Sequence, residues 1–152
     1  MSSETTATDA GKPGGFMRFA PHVARVLMGA LFTFAGSNGL FHYMPDPDPK
    51  TMSPAVLKLM GAFMESGYMF PMIAGTQLLV GLLLLVNRFV PLAVVLLAPV
   101  VVNIVLLHAF LDRSAMGLGT AIVVLVLELF LIWSYRAAYR PMLVARAKPN
   151  AA

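Results

Sequence analysis

Tyr68–Leu111 reads YMFPMIAGTQLLVGLLLLVNRFVPLAVVLLAPVVVNIVLLHAFL, two long apolar runs joined by Asn87–Arg88. Crossing about 30 Å of hydrocarbon takes roughly 20 helical residues. Tyr68–Val86 and Phe89–Leu111 each meet that length, so this stretch predicts two membrane spans joined by a tight turn. Working outward, Val26–Tyr43 and Leu118–Tyr135 are long enough for two more. The runs are continuous rather than alternating, which selects helices over a transmembrane barrel. The fold class expected is all-α: an integral membrane four-helix bundle with a short amphipathic helix between spans one and two.

Composition excludes the other classes. Of 152 residues, 59% are hydrophobic and only 12% charged, about half the charge an ordinary soluble domain carries. Cys is absent, which removes disulfides, thiolate nucleophiles and Cys-ligated metal centres. The net charge of +4 does not point to nucleic acid, because the basic residues flank the apolar runs. Lys12, Arg18, Arg25, Arg88, Arg136, Arg140, Arg146 and Lys148 fall on one side of the four spans, and Lys50, Lys58 and Arg113 on the other. The positive-inside rule then predicts both termini and Asn87–Arg88 in the cytoplasm. Residues 1–20 are expected to be a flexible tail, 21–140 the bundle and 141–152 a short tail. Tyr43, Tyr68, Trp133 and Tyr135 lie near span ends, as interfacial anchors do.

Between spans one and two, MPDPDPK (Met44–Lys50) is a proline-rich turn. Ser53 and Pro54 then read as an N-cap and first helical residue, and Gly67 as a stop. Val56, Leu57, Met60, Phe63 and Met64 are spaced to share a face, so Met52–Ser66 is expected to lie along the interface.

Polar groups inside spans are costly and mark candidate sites. They are Asn38 and His42 in the first span, four apart and expected on one helix face; Gln77 in the second; Asn103 and His108 in the third; and Glu128 in the fourth. By depth, the histidines lie near the outer ends, Asn103 and Gln77 deeper, and Glu128 near the midplane. If they converge, they line one outward-opening pocket. As a neutral acid Glu128 could donate to Gln77 or Asn103; as an anion it needs a cation, and no Lys or Arg is expected at its depth. The amides also fit as interhelical hydrogen-bonding groups, and the histidines as interfacial residues in reach of water. Haem between His42 and His108 is disfavoured, since both are shallow. Pro99 is expected to kink the third span. Ala35-xxx-Gly39 and Ala115-xxx-Gly119 are expected to allow close helix approach.

The run Ser66–Asp112 and the run RVLMGALFTFAGSNGLFH (Arg25–His42) resemble the DoxX-like family of small four-span membrane proteins. The resemblance covers roughly Arg25–Tyr135. Its most specific pieces are Gly39-x-x-His42, Gly81 followed by leucines, Asn87-Arg88-Phe89 with a proline after it, and Pro99-x-x-x-Asn103-Ile104 with His108. It implies a compact bundle in the cytoplasmic membrane. Many relatives carry Glu where this chain has Gln77. Some relatives resemble quinone-linked subunits of thiosulfate oxidation, and others are associated with redox-stress assemblies. Three readings follow. One is a subunit of a quinone-linked or redox-stress membrane complex with an outward-opening polar pocket, not catalytic alone, with a quinone as non-covalent cofactor. The second is a small-molecule binding or transport protein. The third is a scaffold or assembly factor. Expected partners are the lipid bilayer, proteins of such a complex and a possible second copy of the chain.

Overall fold

The computed structural model describes residues 15–143, with side chains described for 19–141. Every regular element among them is helical. The elements are α1 (Gly15–Phe41), α2 (Pro54–Ser66), α3 (Met69–Leu85), α4 (Val90–Leu106), a π-helical turn (Leu107–Asp112), α5 (Ala115–Ser134) and the short α6 (Arg136–Tyr139).

Helices α1, α3, α4 and α5 pack in a closed ring, each against the next and α5 back against α1. The stretches Phe19–Phe41, Val90–Asp112 and Ala115–Ser134 are each long and apolar enough to cross a membrane. At 17 residues, about 25 Å, α3 is at the short limit for a span. It forms with α2 a pair bent by 93°. The chain is therefore a multi-pass all-α membrane protein, and α2 lies across the bundle axis rather than along it. One end of the bundle carries the start of α1, Asn87–Arg88 and the end of α5, here the terminal end. The other carries α2 and the connections 42–53 and 107–114, the loop end.

The centre is filled by Met28 and Phe32 of α1, Val80 and Leu84 of α3, Val94, Leu97 and Val101 of α4, and Leu131 of α5. Packing α1 against α3 depends on glycine. A Cβ at Gly36 would run into the backbone of Leu78 and Ala74, and one at Gly81 into the backbone of Thr33. Such close approach is how helices associate where lipid offers no hydrophobic drive. The pattern Ala35-xxx-Gly39 captured only part of this seam, because Gly36 makes the closest approach. The second pattern does not serve packing: Ala115 and Gly119 are exposed, and nothing lies within 4 Å of a Cβ at Gly119.

Several expectations need correction. α1 begins at Gly15, so residues 15–20, expected in the flexible tail, are helical; residues 1–14 and 144–152 lie outside the described residues. Hydropathy missed this turn because Arg18 and Arg25 interrupt it, yet arginines sit readily at a span's end with their heads at the interface. α1 stops at Phe41, and His42 turns left-handed (φ 49°). The cause is Asn38, whose carbonyl accepts from His42 N (2.8 Å) and whose Oδ1 accepts from Met44 N (2.9 Å). Tyr43 folds back, its hydroxyl bonding Ser37 Oγ (2.9 Å) and Phe34 O (3.1 Å).

Helix α2 forms as its caps dictate. Ser53 Oγ accepts from Val56 N (3.2 Å), Pro54 occupies the first turn and Gly67 closes the helix left-handed at φ 69°. Its inward face is Val56, Leu59, Met60 and Phe63; Leu57 and Met64, expected on that face, are exposed. Ser53 Oγ also donates to Leu111 O (2.8 Å), which ties α2 to the π turn.

Candidate functional site

The six candidate residues do not line one pocket. The bundle centre is filled with large apolar side chains, so the cavities lie on its flanks, either side of α4.

The first is a groove of about 460 Å³ between α3 and α4, roofed by Met60 and Phe63 of α2. Its wall holds Met69, Phe70, Met72, Ile73, Leu96, Pro99 and Val100, and its polar members are Thr76, Gln77 and Asn103. Leu96, Pro99 and Asn103 are exposed, so the groove opens sideways, away from the core. Thr76 is used internally, donating to Met72 O at 2.8 Å. Among the described residues, neither the Gln77 nor the Asn103 side-chain amide hydrogen-bonds to another group of the chain. Asn103 also borders a smaller cavity of about 360 Å³ with Leu59, Phe110 and Leu111.

The second large cavity, about 500 Å³, lies between α4 and α5 at the loop end. It holds His108 together with Asp112, Ser114, Gly117 and Thr120, and shares the Ile104 wall with the first. Asn103 and His108, five residues apart on one chain segment, thus face different cavities. The π turn places His108 and Asp112 together, and such turns recur at functional sites. His108 Nδ1 donates to Ile104 O (2.8 Å), and Nε2 stands 3.8 Å from Asp112 Oδ2. Ser114 Oγ donates to Asp112 Oδ2 and accepts from Gly117 N (3.2 Å) as the N-cap of α5. A Cβ at Gly117 would overlap the His108 ring, so this glycine makes the ring's seat.

Glu128 lines neither cavity. It is 2% exposed, between Val124 and Leu131 on the inward face of α5, and both carboxyl oxygens lack a hydrogen-bond partner among the described residues. It stands six residues from the end of α5, about 9 Å from the terminal end, below the midplane depth expected for it. Arg25 of α1 is the other buried ionisable side chain among the described residues. The Arg25 guanidinium is engaged elsewhere: Nη1 donates to Leu84 O and to Leu85 O (3.3 Å), capping the C-terminus of α3. Tyr139, just past α5, donates to Pro91 O (3.2 Å). Burial pushes its phenol above the ordinary value, and the neighbouring Glu128 and Tyr135 charges add to the shift.

Asn38 is a helix-ending residue, and His42 is exposed on the connection beyond it, off the face the two were expected to share. Arg25, Asp112, Ser114 and Gly117 were missed as working residues. Two of them had a readable signal: Asp112 follows His108 by four, and Ser114 precedes an apolar run as an N-cap does. Arg25's role had no local signal, since its acceptors lie far along the chain.

A family model described as DoxX matches residues 20–109. The chain belongs to the DoxX family. No curated protein matches, and no solved structure matches. The matched span takes in α1 through His108, and therefore the whole amide groove, but stops before Asp112, Ser114, Gly117 and Glu128.

Proposed function

We propose that this DoxX protein is a quinone-linked subunit of a redox complex in the cytoplasmic membrane, and that the groove between α3 and α4 holds the quinone. One observation carries the reading: two side-chain amides with no hydrogen-bond partner among the described residues sit in a laterally open groove of thioether and aromatic side chains. A volume of about 460 Å³ is in the range of small-molecule sites. Quinone carbonyls accept hydrogen bonds, and the Gln77 and Asn103 amides can donate them. Met60, Met69 and Met72 supply adaptable contacts for a ring and tail. The lateral opening lets an apolar ligand enter without crossing water.

A bound quinone supplies two-electron, two-proton redox chemistry. The chain's own residues bind and orient it and keep water out. No residue lining the groove titrates near neutral pH, so proton exchange falls to partner proteins. That same observation favours a second reading, a binding protein for a non-redox amphiphile. Native mass spectrometry of the full chain in micelles doped with a quinone tests the proposal. Gln77→Leu and Asn103→Leu should each lower retained quinone about fivefold or more, the usual worth of one hydrogen bond. Undiminished retention in the double variant would overturn it, and preferential retention of a non-redox lipid would favour the second reading.

A further inference from the structure

The cavity at the loop end carries its own inference, independent of the amide groove. Carbonyl oxygens only accept, so His108 Nδ1, bonded to Ile104 O, must carry the imidazole proton in the neutral ring. Nε2 is then an acceptor. It faces a second acceptor, Asp112 Oδ2, across 3.8 Å. That gap is too long for a direct hydrogen bond and short enough for one donor atom to reach both at about 2.9 Å. The hydroxyls nearby do not fill it. Ser114 already donates to Asp112 Oδ2, and Thr120 donates to Met116 O (3.1 Å). The geometry is also held: Gly117 seats the ring, Ser114 fixes the carboxylate and the π turn aligns the two.

The field at the site follows from the same parts. The end of the π turn and the first turn of α5 meet here, so their opposite partial charges largely cancel. The Asp112 carboxylate remains. Below the polar pair the walls are Ile104, Met116, Ala121 and Val124, which suit an apolar body. A site with two facing acceptors, one negative charge and an apolar floor calls for a cationic donor on an apolar stem.

We infer that His108 and Asp112 form a binding site for a primary ammonium group carried on an apolar chain, either a lipid ethanolamine headgroup or a free alkylamine.

Native mass spectrometry of the full chain tests this with three probes: phosphatidylethanolamine, phosphatidylcholine and n-octylamine. The two lipids differ in that only the first has N–H donors. Phosphatidylethanolamine should be retained about tenfold more than phosphatidylcholine, as the loss of charge-assisted hydrogen bonds implies. Asp112→Asn and His108→Phe should each erase that preference while thermal unfolding confirms that they fold. Gly117→Ala, which displaces the ring, should weaken it in the same direction. Octylamine competing with the lipid places the site with free amines as well; lipid retention that octylamine leaves untouched assigns it to the headgroup alone. Retention of octylamine alone, abolished in Asp112→Asn, assigns it to free amines. Equal retention of both lipids with no octylamine bound overturns the inference, as does a phosphatidylethanolamine preference that survives both substitutions. The wild-type comparison of probes needs no variant, so a folding failure cannot mask the result.

Discussion

Glu128 and Arg25 are both ionisable and nearly buried, 2% and 8% exposed, and they do opposite things. Arg25 has carbonyl acceptors at the end of α3, where a cation also meets the negative end of the helix. Replacing it with Ala should destabilise the bundle by about 1.5–3 kcal/mol, with Lys recovering part of the loss. Thermal unfolding in detergent measures both, and an unchanged Arg25→Ala variant would remove the capping role. Glu128 has no hydrogen-bond partner among the described residues to strand. Substituting Leu deletes a buried unsatisfied group without orphaning another, so Glu128→Leu should stabilise by about 1–3 kcal/mol. A loss of stability instead would show that the carboxyl holds something from outside the chain. Glu128→Gln keeps the shape and removes proton exchange, so comparing the two variants separates packing from chemistry.

Among elements, the α1–α3 pair is the most constrained. Gly36→Ala must push Leu78 backbone away, and overpacking of this kind costs about 1–3 kcal/mol. Gly119→Ala enters open space and should gain roughly 0.5–1 kcal/mol from helix propensity. The contrast, read by thermal unfolding, would fail if both substitutions behaved alike. Gly119 closes a small-xxx-small pattern and Gly36 does not, so the sequence does not rank them as the structure does. What ranks them is rotation about the helix axis: Gly36 faces α3, and Gly119 faces outward. The π turn shows the same limit. Periodicity carried the third span to Leu111, but the extra residue per turn that brings His108 against Asp112 leaves no mark in a hydropathy pattern.

At the scale of the molecule, the closed ring of four helices puts Arg88 and the α1 start at one end and Asp48 at the other. With the skew in basic residues, this predicts that Asp48→Cys reacts with an impermeant thiol reagent in intact cells while Arg88→Cys does not. The chain has no native cysteine to confuse the readout. The reverse pattern would invert the topology, and with it the side on which the His108 site opens.

The sequence by itself determined what depends on local composition and order. Apolar length set the helices in membrane, Ser53, Pro54 and Gly67 set the bounds of α2, and the distribution of Lys and Arg set the expected orientation. The polar residues were also legible as unusual, since each is out of place in hydrocarbon. Which of them meet was decided only by tertiary structure. A helix's rotation about its axis is set by what its neighbours accept, here the glycine seam of α1 and α3 and the large side chains at the centre. That packing closed the middle of the bundle and separated Gln77 and Asn103 from His108 across α4. It also left Glu128 in the core with no hydrogen-bond partner among the described residues, and no one-dimensional spacing carries that information.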